Sequence, residues 1–164
     1  ALRGYGRRDR LTWKHVAHMR KIWKGNLLLK GVLHKDVVRM AREHGLDGIM
    51  VSNHGGRQLD GTVSPLRVLP GLREVAGDMK LIMDSGVRRG GDILKALALG
   101  ADFCFIGRPF LCAAAVAGQL GVDHAIRLLI DEIDRDMAML GINTLKEMSK
   151  EFLMPATGAG FLQK

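Results

Sequence analysis

Aromatic residues are scarce: Phe, Trp and Tyr make up 5% of the 164 residues, and Tyr5 is the sole tyrosine. Proteins that hold single-stranded nucleic acid stack its bases on aromatic faces set in a basic groove. The basic groups are present here, with a formal net charge of +8, but no aromatic platform interleaves them. The charge is therefore read as serving anionic small ligands, with no nucleic-acid partner expected. Cysteine is nearly absent. Cys104 and Cys112 lack the Cys or His partners at the spacing a metal site needs, so no metal is expected. Both lie in apolar stretches and are expected as buried structural thiols, which suits a reducing compartment and a cytoplasmic location. No uninterrupted run of about twenty apolar residues occurs, so no segment is expected to cross a bilayer. The first residues are basic rather than apolar, unlike a secretory signal. The last four, Phe161-Leu162-Gln163-Lys164, do not form a peroxisomal tripeptide.

What is present is ordinary for one soluble globular domain: 47% hydrophobic and 26% charged residues, with 21 glycines that suit many tight turns between strands and helices. Residues 1–11 hold Arg3, Arg7, Arg8 and Arg10 and read as a basic tail or loop end, with contact to an anionic membrane surface as a functional option. Thr12 is a candidate N-cap for a helix through Trp23, stopped by Gly25. A short buried strand over 27–31 ends near Lys30, and a helix over 35–44 follows. Residues 48–52 form a second strand, and 61–64 a polar link. Pro65 opens a helix to Ala76 with a break expected near Pro70 and Gly71. Strand 80–84 leads to a glycine-rich loop, 85–91, and to a helix from its expected cap Asp92 to Leu99. Strand 102–106 is followed by a helix from Gly107 to about Gln119. A longer helix over 123–140 carries an apolar stripe through Ile126, Leu129, Ile130, Ile133, Met137 and Leu140, read as packing. A short last helix is expected over 143–152 and a loose tail over 155–164. The alternation is strand then helix, four times, which predicts an α/β fold with a parallel sheet. Chemistry at each strand's C-terminal end suggests a TIM-type (β/α)8 barrel, of which four units are half, with two open edges that invite pairing.

The chain is organised around Ser52-Asn53-His54-Gly55-Gly56-Arg57-Gln58-Leu59-Asp60, which follows the apolar run Gly48-Ile49-Met50-Val51. Histidine titrates near neutrality and can act as a base. Arginine can grip a carboxylate through two parallel hydrogen bonds. A lone histidine after a strand is more often a hydrogen-bonded loop residue, and a lone arginine a solvated charge. Together, at the end of a buried strand, His54 and Arg57 suggest a site for a small acid that must lose a proton. The other strand ends carry Lys30, Asp84 and Arg108. The loops Asp84-Ser85-Gly86-Val87-Arg88-Arg89-Gly90-Gly91 and Gly107-Arg108-Pro109 combine glycine turns, helix starts and arginines, a pattern that suits phosphate.

The run SNHGGRQLDG (52–61) resembles the active-site signature of the FMN-dependent α-hydroxy-acid dehydrogenases and oxidases, a family acting on lactate, mandelate and glycolate. LLKG (28–31), VSPLRVLP (63–70) and DSGVRRGGDILKALALGA (84–101) extend the likeness to most of residues 12–152. The resemblance implies FMN as cofactor and oxidation of a 2-hydroxy acid to the 2-keto acid. It makes His54 the base and Arg57 the carboxylate clamp. Lys30 would lie beside the flavin ring and stabilise its electron-rich reduced form, and Ser52 would hydrogen-bond the flavin. Asp84 would hold the ribityl chain. Gly86, Arg88, Gly107 and Arg108 would hold the phosphate, with Ser85 and Val87 in the same cofactor-binding loop. The chain corresponds to the last four βα units, residues 12–154, of the family's barrel plus its C-terminal helices. The first four would bring two tyrosines for the substrate and an aspartate that pairs with the histidine. The expected partner is accordingly an N-terminal half-barrel, or a further copy in a homo-oligomer. Gly56, where oxidases often have alanine, and Ser85, giving DSG rather than DGG, point to the dehydrogenase branch. Residues 1–11 fall where membrane-associated members have a loop that meets the bilayer. Two other readings stay open: a non-catalytic flavin- or phosphate-binding half-barrel, and another FMN barrel such as a flavin-dependent isomerase. The pairing of Arg57 with His54 speaks against the second.

Overall fold

The structure is a computed structural model and describes residues 11–154. The basic segment up to Arg10 and the expected tail from residue 155 lie outside the described residues.

Four parallel strands form one sheet in sequence order: β1 (Leu28–Val32), β2 (Gly48–Val51), β3 (Lys80–Met83) and β4 (Phe103–Cys104). The helices between them are α2 (Lys35–Glu43), α3 (Pro65–Ala76) and α4 (Gly90–Ala98), preceded by α1 (Trp13–Ile22) and followed by α5 (Arg108–Leu140). Side chains alternate across a strand. In β2 and β3 one face, Ile49, Val51, Leu81 and Met83, is buried beneath Val38 and Ala41 of α2 and Leu69, Leu72 and Ala76 of α3. Fully burying such side chains contributes about 1.5–3 kcal/mol each, so this layer dominates the stability of the fold. The opposite face is only partly covered. There the register aligns Lys30, Met50, Ile82 and Phe103 in one row, and Phe103 is 57% exposed. This is the inward face of a curved sheet whose far side is not among the described residues.

Several expectations change in detail. The first strand is buried only at Val32; it is an edge strand with Leu28 and Lys30 exposed, because among the described residues only β2 pairs with it. The last strand is two residues long rather than five. The break expected at Pro70 and Gly71 does not occur, and α3 is continuous. Pro70 lies on the exposed side, where water can take the carbonyl it leaves unpaired, while Pro65, Leu69, Leu72 and Ala76 hold the other side in the core. The α4 cap is Arg89, not Asp92. Asp92 sits one turn in and accepts backbone N–H groups from Arg88 (3.0 Å) and Arg89 (3.1 Å). The two helices expected over 107–119 and 123–140 run on as α5, with a kink at Ala117 (φ −146°, ψ 27°) and Gly118 (φ 55°, ψ −135°). The stripe on its second segment is half used: Leu129 is buried, while Ile126 and Ile130 are exposed. In place of a helix over 143–152 there are two 3-10 turns, Leu145–Glu147 and Lys150–Phe152, capped separately by Thr144 and Ser149. Cys112 is exposed on the first turns of α5, contrary to the buried thiol expected, whereas Cys104 is half-buried.

By length and composition α5 is long and apolar enough to cross a membrane, with a window of mean hydropathy 1.2. The kink interrupts that stretch. Inside hydrocarbon it would leave backbone groups unpaired, and the segment beyond it packs on α4 through Glu132 and Ile133.

Candidate active site

Each strand delivers a polar residue at its C-terminal end, and the four loops there enclose a cleft of about 730 Å³. Lys30, His54, Arg57, Asp84, Ser85, Gly86, Val87, Arg88, Gly107 and Arg108 all line it. Of the expected site residues only Ser52 does not. It is fully buried beneath the floor. Its Oγ accepts the His54 N–H at 3.1 Å and lies 3.1 Å from Lys30 Nζ. Ser52 therefore shapes the site from below. Val87 packs its side chain into the core and can offer the cleft only its backbone.

Lys30 projects from the inward face of β1 and pairs with the Asp84 carboxylate. Ser85 Oγ donates to Asp84 Oδ1 at 2.8 Å. Burial pushes the Asp84 carboxyl up, but hydrogen bonds from Lys30, Ser52 and Ser85 and the Lys30 charge outweigh it and hold the group below the usual carboxylate range. Asp84 is thus a fixed anion at neutral pH.

The histidine loop is a 3-10 turn, His54–Gly56, in which His54 itself has φ 56°. Asn53 Oδ1 and Ser85 Oγ each accept the Gly55 N–H at 3.0 Å. Arg108 Nη2 donates to the Gly55 carbonyl at 3.1 Å. The imidazole lies over Gly31. A methyl group placed there would stand 2.9 Å from His54 Nε2. Gly31 also has φ 89° and coincides with a register shift between β1 and β2, a β-bulge beside the site. Sequence reasoning missed Gly31 as a site residue. A glycine inside a strand pattern is the signal of a bulge or a close approach, and LLKGV carries it.

Arg88 and its neighbour Arg89 diverge. Arg89 Nε bonds Glu132 Oε1 at 2.6 Å, and the Gly90 N–H bonds Glu132 Oε2 at 2.7 Å, so the start of α4 is closed by a carboxylate from α5. Among the described residues neither Arg57 nor Arg88 forms an ion pair. Both are exposed at the cleft. Methyl groups added at Gly86 or Gly107 would meet no protein atom within 4 Å, so an anion can approach the backbone there. The chemistry of this donor set fits FMN: two arginines and two open glycine turns for a phosphate, a lysine and an aspartate further along, and an apolar wall from Phe105, Ile106 and Leu111. Cys112 and Gln58 also line the cleft, and neither was expected there from the sequence.

The family model described as FMN-dependent dehydrogenase matches residues 2–155. An L-lactate dehydrogenase of Alcaligenes faecalis is 43% identical over 145 residues, covering 88% of this chain and 38% of that protein. An L-lactate dehydrogenase (cytochrome) of Wickerhamomyces anomalus is 48% identical over 149 residues, covering 87% of this chain and 26% of that protein. Among solved structures, a monotopic membrane protein, (S)-mandelate dehydrogenase, superposes with TM-score 0.85 at 40% identity over 88% of this chain and 38% of that one. Mandelate oxidase bound to (S)-2-phenylpropionate superposes with TM-score 0.78 at 41% identity over 83% of this chain and 41% of that one. This chain spans well under half the length of these relatives.

Proposed function

Starting from the fact that the chain belongs to the FMN-dependent dehydrogenase family, we propose that its cleft is the FMN- and substrate-binding part of an enzyme oxidising an L-2-hydroxy acid of the lactate or mandelate type. Its four βα units are part of a TIM-type barrel, and FMN is the family's cofactor. The observation that carries the reading is convergence: Lys30, His54, Arg57, Asp84, Arg88 and Arg108 come from four different strand ends to one cleft.

Oxidation of a 2-hydroxy acid removes two electrons and two protons and leaves the 2-keto acid. FMN, when bound, supplies the acceptor for the electron pair. Arg57, without an ion-pair partner among the described residues, binds the substrate carboxylate bidentately and fixes the α-carbon. His54, held over Gly31, accepts one substrate proton. Gly86, Arg88, Gly107 and Arg108 hold the phosphate, and Asp84 accepts from the ribityl hydroxyls. Lys30 places a positive charge where electron density accumulates. Ser52 keeps Lys30 and the His54 loop in place from beneath.

Completion of the barrel by the remainder of the enzyme or by another copy is part of this proposal, supported by the unpaired outer edges of β1 and β4. Contact of residues 1–11 with an anionic bilayer is also proposed, supported by their four arginines and by the monotopic relative. Co-sedimentation with anionic vesicles that is lost in high salt checks it.

The test is the visible spectrum of the protein with FMN, before and after excess L-lactate or L-mandelate, with and without the rest of the barrel supplied. Bleaching is expected in the completed barrel. His54→Ala is expected to bind FMN and abolish bleaching. FMN that binds but stays unbleached with every 2-hydroxy acid would replace this reading with a non-catalytic flavin-binding role.

A further inference from the structure

Two non-glycine residues among those described have left-handed backbone, His54 (φ 56°) and Ser85 (φ 74°). They follow adjacent strand ends and are connected. Strained residues of this kind persist where the surroundings over-determine them, and they gather at functional sites. Glycine would occupy position 85 without strain, so the side chain must return something that a glycine cannot. The hydrogen bonds say what. A serine hydroxyl has one hydrogen, which Ser85 gives to Asp84 Oδ1 at 2.8 Å. Its lone pairs are thereby turned toward the neighbouring loop, where the oxygen accepts the Gly55 N–H at 3.0 Å, sharing it with Asn53 Oδ1, also at 3.0 Å, and adding to that local contact a tie from another strand end. The other side of Gly55, its carbonyl, is held by Arg108 Nη2 at 3.1 Å. Gly55 is the residue directly after His54, and its conformation aims the imidazole.

We propose that Ser85 is a positioning residue for His54: its hydroxyl, oriented by the Asp84 carboxylate, grips the Gly55 N–H and fixes the turn that carries the imidazole. The inference rests on His54 being the base. It differs from a cofactor contact, because the Ser85 side chain acts on the neighbouring loop. Asp84, Ser85 and Gly55 form a relay from the cofactor side of the cleft to the base. A change in the partner of Asp84 is thereby felt at His54.

Ser85→Gly and Ser85→Ala both remove the hydroxyl, but the first relieves the left-handed backbone and the second keeps it strained. Three quantities are measured in the completed enzyme: hydrogen exchange at the Gly55 amide, FMN affinity, and the rate of flavin reduction at saturating L-lactate or L-mandelate. Both variants are expected to speed Gly55 exchange about tenfold and to slow flavin reduction roughly 10- to 100-fold. FMN affinity is expected to fall by much less than the reduction rate, because Asp84 keeps its Lys30 partner when the Ser85 bond is lost. If Ser85→Ala fails to fold, Ser85→Gly decides alone. A Ser85→Gly protein with parental exchange and parental rate would overturn the proposal, since only the backbone would then matter. A rate loss that saturating FMN restores would also overturn it, by making Ser85 a cofactor contact. If the parent itself is never reduced by a 2-hydroxy acid, the enzymatic reading falls. The exchange comparison still tests the grip on Gly55.

Discussion

The imidazole of His54 rests where a side chain on Gly31 would be, and the two residues come from different strands. Gly31→Ala places a methyl 2.9 Å from Nε2 and forces alanine into φ 89°. Each effect alone displaces the ring. The variant is expected to lose about 1–2 kcal/mol of stability and to reduce flavin far more slowly than it loses FMN. A thermal melt and a stopped-flow trace separate the two. The cysteines make a second residue-level contrast. Burial pushes the Cys104 thiol up to about 11, and the thiolate is the nucleophile, so it should resist alkylation at neutral pH. Cys112 is exposed and lines the cleft. It should be labelled, and FMN should slow that labelling, as peptide mass analysis would report. The site residues were legible because their types carry their chemistry: an arginine that grips anions, a histidine that takes protons. The sequence placed Ser52 beside the flavin but did not show that it is buried, with its hydroxyl between Lys30 and the His54 N–H. Its burial follows from its place one step beyond β2, under the Lys30 side chain, and a residue string does not carry that geometry.

Glu132 illustrates what elements add to one another. It lies on the second segment of α5, yet it closes the start of α4 by accepting Gly90 N–H and Arg89 Nε. Helix N-termini attract anions, and this one is already taken by Glu132, which leaves the Gly86–Arg88 turn and the start of α5 open for the phosphate of the proposed cofactor. Glu132→Ala removes an acceptor from that start. It is expected to cost about 1 kcal/mol in chemical denaturation and to weaken FMN binding, because the Arg89–Gly90 end of the loop that carries Arg88 is released. Glu132→Gln, which keeps an acceptor for Gly90 but not the charge, should recover most of the stability. The alternation of strand and helix was readable because apolar period and glycine stops agree along most of the chain. The last stretch was not. Thr144 and Ser149 each start a separate turn, and two competing caps within a few residues prevent one continuous helix. A clamp between residues 89 and 132 leaves no local signal at all, since its partners meet only after α5 has folded back.

For the whole molecule, charge decides the response to solution conditions. Asp84, Asp102 and Glu132 all sit below their usual range. Burial raises the first two, but hydrogen bonds and neighbouring cations outweigh it. For Glu132 the Gly90 N–H comes first and Arg89 adds to it. A carboxyl lowered in the folded state gives stability that is complete above its unfolded value of about 4 and vanishes as pH falls through the folded one. Unfolding midpoints should therefore be flat above about pH 5 and drop steeply below pH 4. Asp102, which accepts Leu81 N–H at 2.9 Å and pairs with Arg73 and Lys80 at the opposite end of the sheet from the cleft, should account for part of that drop. Asp102→Asn would flatten it. A net charge of +8 and a cleft lined by Arg57, Arg88 and Arg108 also predict FMN affinity that falls with added salt. Titrations at two ionic strengths check this.

The kink in α5 joins two segments that each hold a different cleft loop. Arg108 opens the helix before Ala117 and Gly118, and Glu132, which braces the loop of Arg88, lies beyond them. The two segments meet at Gly118, whose φ 55° and ψ −135° suit glycine. Gly118→Ala is expected to strain that junction and so to loosen both loops at once, read as a lower unfolding midpoint together with weaker FMN binding.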